Sequence, residues 1–103
     1  QQEPRFSVLR HSVFQALREP VDVIRSMNIF NHVYFSHQQL AEGAKAVWQS
    51  LVPGGLWIVG RTVQERPAVH SVTLLQRGSE GFVKLDCFGA GSEIESLVLG
   101  LRW

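Results

Sequence analysis

The stretch that decides the fold is Val21-Asp22-Val23-Ile24-Arg25-Ser26-Met27-Asn28-Ile29-Phe30-Asn31-His32, followed by Ser36–Val52, Pro53-Gly54-Gly55 and Leu56-Trp57-Ile58-Val59-Gly60. Val21–Ile24 is apolar apart from Asp22 and β-branched at Val21, Val23 and Ile24, which suits a strand covered on both faces. Asn28–Phe35 mixes aromatic and amide residues without a clear period and reads as a loop. Ser36 with Gln39 forms a capping box, in which hydroxyl and amide each satisfy a backbone donor at a helix start. Leu40, Ala44, Val47 and Leu51 then recur at spacings of four and three as one apolar stripe. Pro53-Gly54-Gly55 is expected to end the helix, because proline cannot continue the ladder and glycine tolerates positive φ. Leu56–Gly60 follows as a second buried strand. Strand, helix and strand at this spacing predict one right-handed βαβ unit of a parallel sheet. Such sheets bind ligands at the carboxyl ends of their strands, which singles out Met27, Asn28 and Asn31.

Downstream, Arg61–Ala68 is polar, contains Pro67 and reads as a loop, with no helix-length pattern after the second strand. Val69–Gln76 and Phe82–Phe88 flank Arg77-Gly78-Ser79-Glu80-Gly81, the pattern of a β-hairpin with a glycine-containing loop. In its second arm strict alternation sets Val83, Leu85 and Cys87 against Lys84 and Asp86, as in a half-buried strand, so Cys87 is expected in the core. Ser92 with Glu95 reads as a second capping box ahead of a short helix carrying Ile94, Leu97, Val98 and Leu101. Trp48, Trp57 and Trp103 read as packing residues.

Upstream, Gln1–Arg5 reads as a frayed lead-in, Phe6-Ser7-Val8-Leu9 as a short strand, and His11–Leu17 as a loop or single turn before the Pro20 break. The 103 residues, 45% hydrophobic and 18% charged, suit one small domain and argue against disorder. A net charge of +1 gives nucleic-acid binding no electrostatic support. The single cysteine, with no signal-peptide pattern and no membrane-length apolar run, leads to an expectation of a reducing, cytoplasmic setting. His11, His32, His37 and His70 have no helical i, i+4 pair and no cysteine companion, which leaves a metal site without support. The chain starts at Gln1 and its only methionine is Met27, which fits a piece of a longer protein.

The order and spacing of Asp22–Asn31, Ser36–Val52 and Pro53–Val59 resemble the second half of a class I S-adenosylmethionine-dependent methyltransferase domain. There, an Asp-Val-Ile strand carries a loop past the cofactor, and a helix and Pro-Gly-Gly turn feed the next strand. Met27-Asn28-Ile29-Phe30 is similar to the Arg-Asn-hydrophobic-hydrophobic segment of chemotaxis-receptor methyltransferases, with Met27 departing from the arginine. The hairpin Val69–Phe88 looks like the reversed final strand pair of that fold. The resemblance implies a partial Rossmann-like α/β sheet, with parallel strands and a C-terminal antiparallel hairpin, as one partial domain over residues 1–103. It implies S-adenosylmethionine as cofactor, contacted by Ser12, Val13, Met27 and Asn28, with Asn31 and His32 toward an unknown methyl acceptor. It also implies two strands between Phe6–Leu9 and Val21–Ile24 that this sequence lacks. Direct pairing of those two segments, or disorder of the first, is then expected, along with possible self-association through an exposed sheet edge.

Each candidate also has a structural reading. Ser12 is equally a turn serine, Asn28 a residue bonding its own backbone, and His32 either a general base or a loop histidine. The glycine-rich nucleotide turn is missing, and no acidic residue ends a preceding strand to hold ribose hydroxyls. Methyl transfer is therefore expected of a longer parent protein, with this chain an inactive or incomplete portion and no catalytic residue assigned. The alternatives are a non-catalytic α/β interaction domain, or another nucleotide-dependent α/β enzyme with its glycine-rich loop upstream.

Overall fold

A computed structural model describes residues 16–30, 32–63 and 69–103. The expected strand at Phe6–Leu9, and with it the question of what that segment pairs with, lies outside the described residues. The elements are β1 (Val21–Met27), α1 (His37–Ser50), β2 (Leu51–Val63), β3 (Val69–Arg77), β4 (Phe82–Phe88) and α2 (Glu95–Leu99). They form a mixed four-stranded sheet in the order β1-β2-β3-β4 with two helices, an α/β arrangement. β1 and β2 are parallel, pairing Val23 with Leu56, Ile24 with Trp57 and Ser26 with Val59. β2–β3 and β3–β4 are antiparallel. Neither helix is long and apolar enough to cross a membrane.

α1 forms where its cap and stripe require it. Ser36 Oγ accepts from the Gln39 amide at 3.1 Å, and Gln39 Oε1 accepts from the Ser36 amide at 2.9 Å. Leu40, Ala44, Val47 and Leu51 are all buried, and each fully buried aliphatic side chain contributes roughly 1.5–3 kcal/mol. They meet Trp57, Val59 and Leu75 from the sheet and Ile94 and Val98 from the α2 segment. One residue of α1 is small for a reason of contact. A Cβ on Gly43 would lie 2.5 Å from Phe30 Cε1. The Phe30 ring uses that gap, buried and edge-on to Trp57 at 5.6 Å between centroids. Trp57 is fully buried, and its indole nitrogen donates to Ser26 Oγ at 3.1 Å. Phe82 and Trp103 extend the aromatic layer, and the Trp103 amide donates to the Glu80 carbonyl at 2.6 Å, fastening the C-terminus to the hairpin loop. Arg77 lies over the Trp48 ring at 3.8 Å, and its guanidinium also donates to the Leu51 carbonyl.

Several boundaries differ from the sequence reading. β1 runs on through Arg25, Ser26 and Met27, because Ser26 faces the helices and serves as acceptor for Trp57. Leu51 and Val52 belong to β2, not to α1. The Pro-Gly-Gly segment is no turn between helix and strand. Val21 already pairs with Leu51, and the register jumps before Val23 pairs with Leu56, so Pro53–Gly55 bulges out inside β2. Gly54 has φ +81°, and a Cβ on Gly55 would lie 2.9 Å from the Val52 carbonyl oxygen, so the bulge needs both glycines. β2 also continues through Arg61 and Thr62, which the sequence assigns to a loop.

The strict alternation expected for β4 fails as well. Leu74 pairs with Asp86 but Leu75 with Lys84, which leaves Leu85 as an inserted residue. The bulge turns Cys87 to the side of Thr73 and Lys84, and every β4 residue after Phe82 is exposed, Cys87 included. β4 is an edge strand, not a half-buried one. The second capping box is also absent. Ile94 occupies the N-cap of α2 without a side-chain bond, and Ser92 Oγ accepts from the Ile94 amide at 3.3 Å. Glu95 instead spans to the sheet. Thr73 donates to one carboxylate oxygen at 2.7 Å and Lys84 to the other at 3.0 Å. These two bonds hold the Glu95 carboxyl below its ordinary value, that from Thr73 being the larger cause. The same pairing raises Lys84.

Candidate functional site

The carboxyl ends of β1 and β2 lie side by side, and their fastening is built from polar groups. Met27 closes β1, half-buried and paired with Gly60. Asn28 follows with φ +62°, a left-handed conformation that asparagine adopts more readily than most residues. Its amide donates to the Gly60 carbonyl at 2.9 Å, and its Oδ1 accepts from the Thr62 amide at 2.9 Å. Thr62 Oγ1 and His70 Nδ1 share a hydrogen bond of 2.9 Å across the β2–β3 ladder. Asn28, Thr62 and His70 thus form a continuous polar chain over the ends of three strands.

The loop after β1 supplies the other side. His32 is exposed, its Nε2 lies 3.3 Å from the Glu93 carbonyl oxygen, and its ring meets that of His37 edge-on at 5.2 Å. Donation from Nε2 to that carbonyl leaves the lone pair of a neutral ring on Nδ1. Val33 and Tyr34, at the tip of the same loop, are 83% and 79% exposed. Phe30, held in the Gly43 gap, anchors the loop to the core.

Of the residues singled out by the sequence, Met27, Asn28 and His32 fall in this region. Ser12, Val13 and Asn31 lie outside the described residues. Asn28 commits its amide and its side-chain oxygen to β2, so it acts first as a clasp between the strands. Thr62, His70 and His37 are members of the region that sequence reasoning missed. His37 is the first residue of α1 and takes its place from the Ser36 cap. Thr62 and His70 meet because β2 extends past Gly60 and pairs antiparallel with β3. Among the described residues, no three His, Cys, Asp or Glu side chains are grouped to hold a metal ion.

Chemically, the region offers an exposed imidazole pair, a hydroxyl–imidazole bond and backbone groups ordered by a left-handed asparagine. Comparison of the chain with known protein families, with curated proteins and with solved structures returned no match.

Proposed function

We propose that the chain is the C-terminal portion of a class I S-adenosylmethionine-dependent methyltransferase domain, with a Rossmann-like sheet completed by residues it does not contain. The observation that carries this reading is the parallel β1–α1–β2 unit whose strand ends are clasped by Asn28. Ligands of open α/β sheets sit outside those carboxyl ends. In this reading Met27 and Asn28 line the methionine end of the cofactor, with Ser12 and Val13 toward its adenine. Asn31 and His32 face the methyl acceptor. The cofactor supplies an electrophilic methyl group. The protein's part is alignment of the acceptor and exclusion of water.

A glycine-rich turn normally brings backbone amides against the cofactor, and this chain has none. Calorimetric titration of the 103-residue chain with S-adenosylmethionine or S-adenosylhomocysteine should therefore show a dissociation constant no tighter than about 1 mM. A parent polypeptide carrying an upstream Gly-x-Gly-x-Gly strand-turn should bind the demethylated product in the micromolar range, about 8 kcal/mol, and lose affinity on Asn28→Ala. Low-micromolar binding by the chain alone would refute its incompleteness, and a parent that binds neither compound would refute the methyltransferase reading. The second reading is a non-catalytic interaction domain. It is favoured by the apolar second face of the sheet, which no helix covers among the described residues.

A further inference from the structure

The face of the sheet turned away from both helices is laid out in three cross-strand rows by the ladder registers. The first is Val23, Leu56, Gln76, Val83; the second Arg25, Ile58, Leu74, Asp86; the third Met27, Gly60, Val72, Phe88. No helix covers these rows among the described residues, and Val23, Val83 and Phe88 are 40%, 52% and 59% exposed. Over these three rows the face is apolar except for Gln76 and two charges, and the Thr62–His70 pair continues it beyond Gly60 and Val72 as a polar rim. Those charges stand at opposite ends of the middle row, Arg25 on the β1 edge and Asp86 on the β4 edge, both exposed.

We propose that this face docks a second copy of the chain, sheet on sheet, about a two-fold axis parallel to the strands. Such an axis sets β1 of each copy over β4 of the other, and β2 over β3. The middle row then places Arg25 of each copy against Asp86 of the other and Ile58 against Leu74, so both charges are paired and the centre is dry. The third row sets Phe88 against Met27 and Val72 against Gly60, large against small. The first sets Val23 against Val83. The pattern is self-complementary, as an isologous interface requires, and sheets packed this way lie about 10 Å apart and roughly 30° from parallel.

Edge pairing, the route suggested by the sequence, is hindered at β4. Leu85 bulges out of the ladder there, and Asp86 Oδ1 accepts a hydrogen bond from the Cys87 amide at 2.8 Å. Four strands by three rows present about 400 Å² in projection, below the roughly 800 Å² per partner of a standard interface. The dimer is therefore expected to be weak, with a dissociation constant of order 10 µM.

Sedimentation equilibrium of the 103-residue chain across a concentration series tests this, with far-UV circular dichroism to confirm that each variant keeps its fold. The wild type should show a monomer–dimer equilibrium. Arg25→Glu or Asp86→Arg alone should weaken it by about tenfold or more, because each sets like charges together. The double variant should return to within about threefold of the wild type. Leu74→Asp should abolish the dimer. A chain that stays monomeric to several hundred micromolar (order of magnitude,) would overturn the proposal, and the face would then belong to a different partner or to the rest of a parent protein. Self-association insensitive to Arg25→Glu and Leu74→Asp would equally overturn it in favour of an edge. Met27 is shared by this face and the proposed cofactor end, but sedimentation does not read cofactor binding, so failure of the dimer and failure of the methyltransferase reading are distinguishable.

Discussion

Leu74 and Leu75 are neighbours in β3 with the same side chain and opposite fates. Leu75 is fully buried under the helices, whereas Leu74 is half-buried on the face that no helix covers among the described residues. The helix-side layer holds Trp57, Val59, Thr73 and Leu75, with the buried hydroxyl of Thr73 donating to Glu95 and that of Ser26 accepting from Trp57. The other layer is nearly as apolar in composition yet, among the described residues, has no helix packed upon it. Composition alone therefore does not locate the core of a sheet. What locates it is which face the flanking helices reach, and here α1 and α2 lie on the same side. Parallel strands are usually covered on both faces, so the uncovered layer is the part of this chain that is still looking for company.

The most direct way to break this contrast is a pair of substitutions. Leu75→Ala should destabilise the chain by about 2–5 kcal/mol, since it opens a cavity in packed surroundings. Leu74→Ala in dilute solution should cost no more than about 1 kcal/mol, since water already reaches that position. Urea melts giving equal losses would mean that the open face is packed after all.

A smaller effect tests the edge of the helix layer. Ser36→Ala removes the oxygen that receives the Gln39 amide and should cost about 0.5–2 kcal/mol. Because α1 packs on the helix-side face, the same substitution should leave the dimer equilibrium of the opposite face, read by sedimentation, unchanged.

The smallest expected effect concerns the bond from Glu95 to β3 and β4. Its folded carboxyl lies below the ordinary value of 4.5. The stability it contributes is thus fully present above that value and is lost as the pH falls through the depressed folded one. Solvent screening keeps the sum modest, about 0.5–1 kcal/mol. Glu95→Gln should remove this dependence. Thermal melts between pH 6 and about pH 3 that decline equally in variant and wild type would assign the acid sensitivity to other carboxylates.

Much of the fold was readable from local pattern. The cap and stripe of α1, the parallel adjacency of Val21–Ile24 and Leu56–Val59 across it, and the hairpin closed by Gly78 and Gly81 all follow from the order and spacing of local signals. What escaped depends on contacts between distant segments. Nothing near Ser26 in the sequence announces that its hydroxyl answers the Trp57 indole, thirty-one residues away. Glu95 fits a capping box by spacing, but Thr73 and Lys84 make the better offer. Leu85 shifts the β4 alternation by one, which no count along that strand alone reveals. In the candidate site, Met27, Asn28 and His32 were legible because strand ends are where sheets bind ligands. Thr62 and His70 were not, since they meet only through the register of β2 on β3.

The gap at Gly43 that seats Phe30 sets engineering of this chain against itself. Glycine in a helix interior costs about 1 kcal/mol relative to alanine, so Gly43 is the substitution that a design for thermal stability would choose first. Yet a methyl group there would stand 2.5 Å from Phe30 Cε1, and Phe30 is what ties the His32 loop to the core. A gain in helical propensity would be taken out of the loop's placement. Breeding for a firmer helix and breeding for a sharper site pull in opposite directions at one residue.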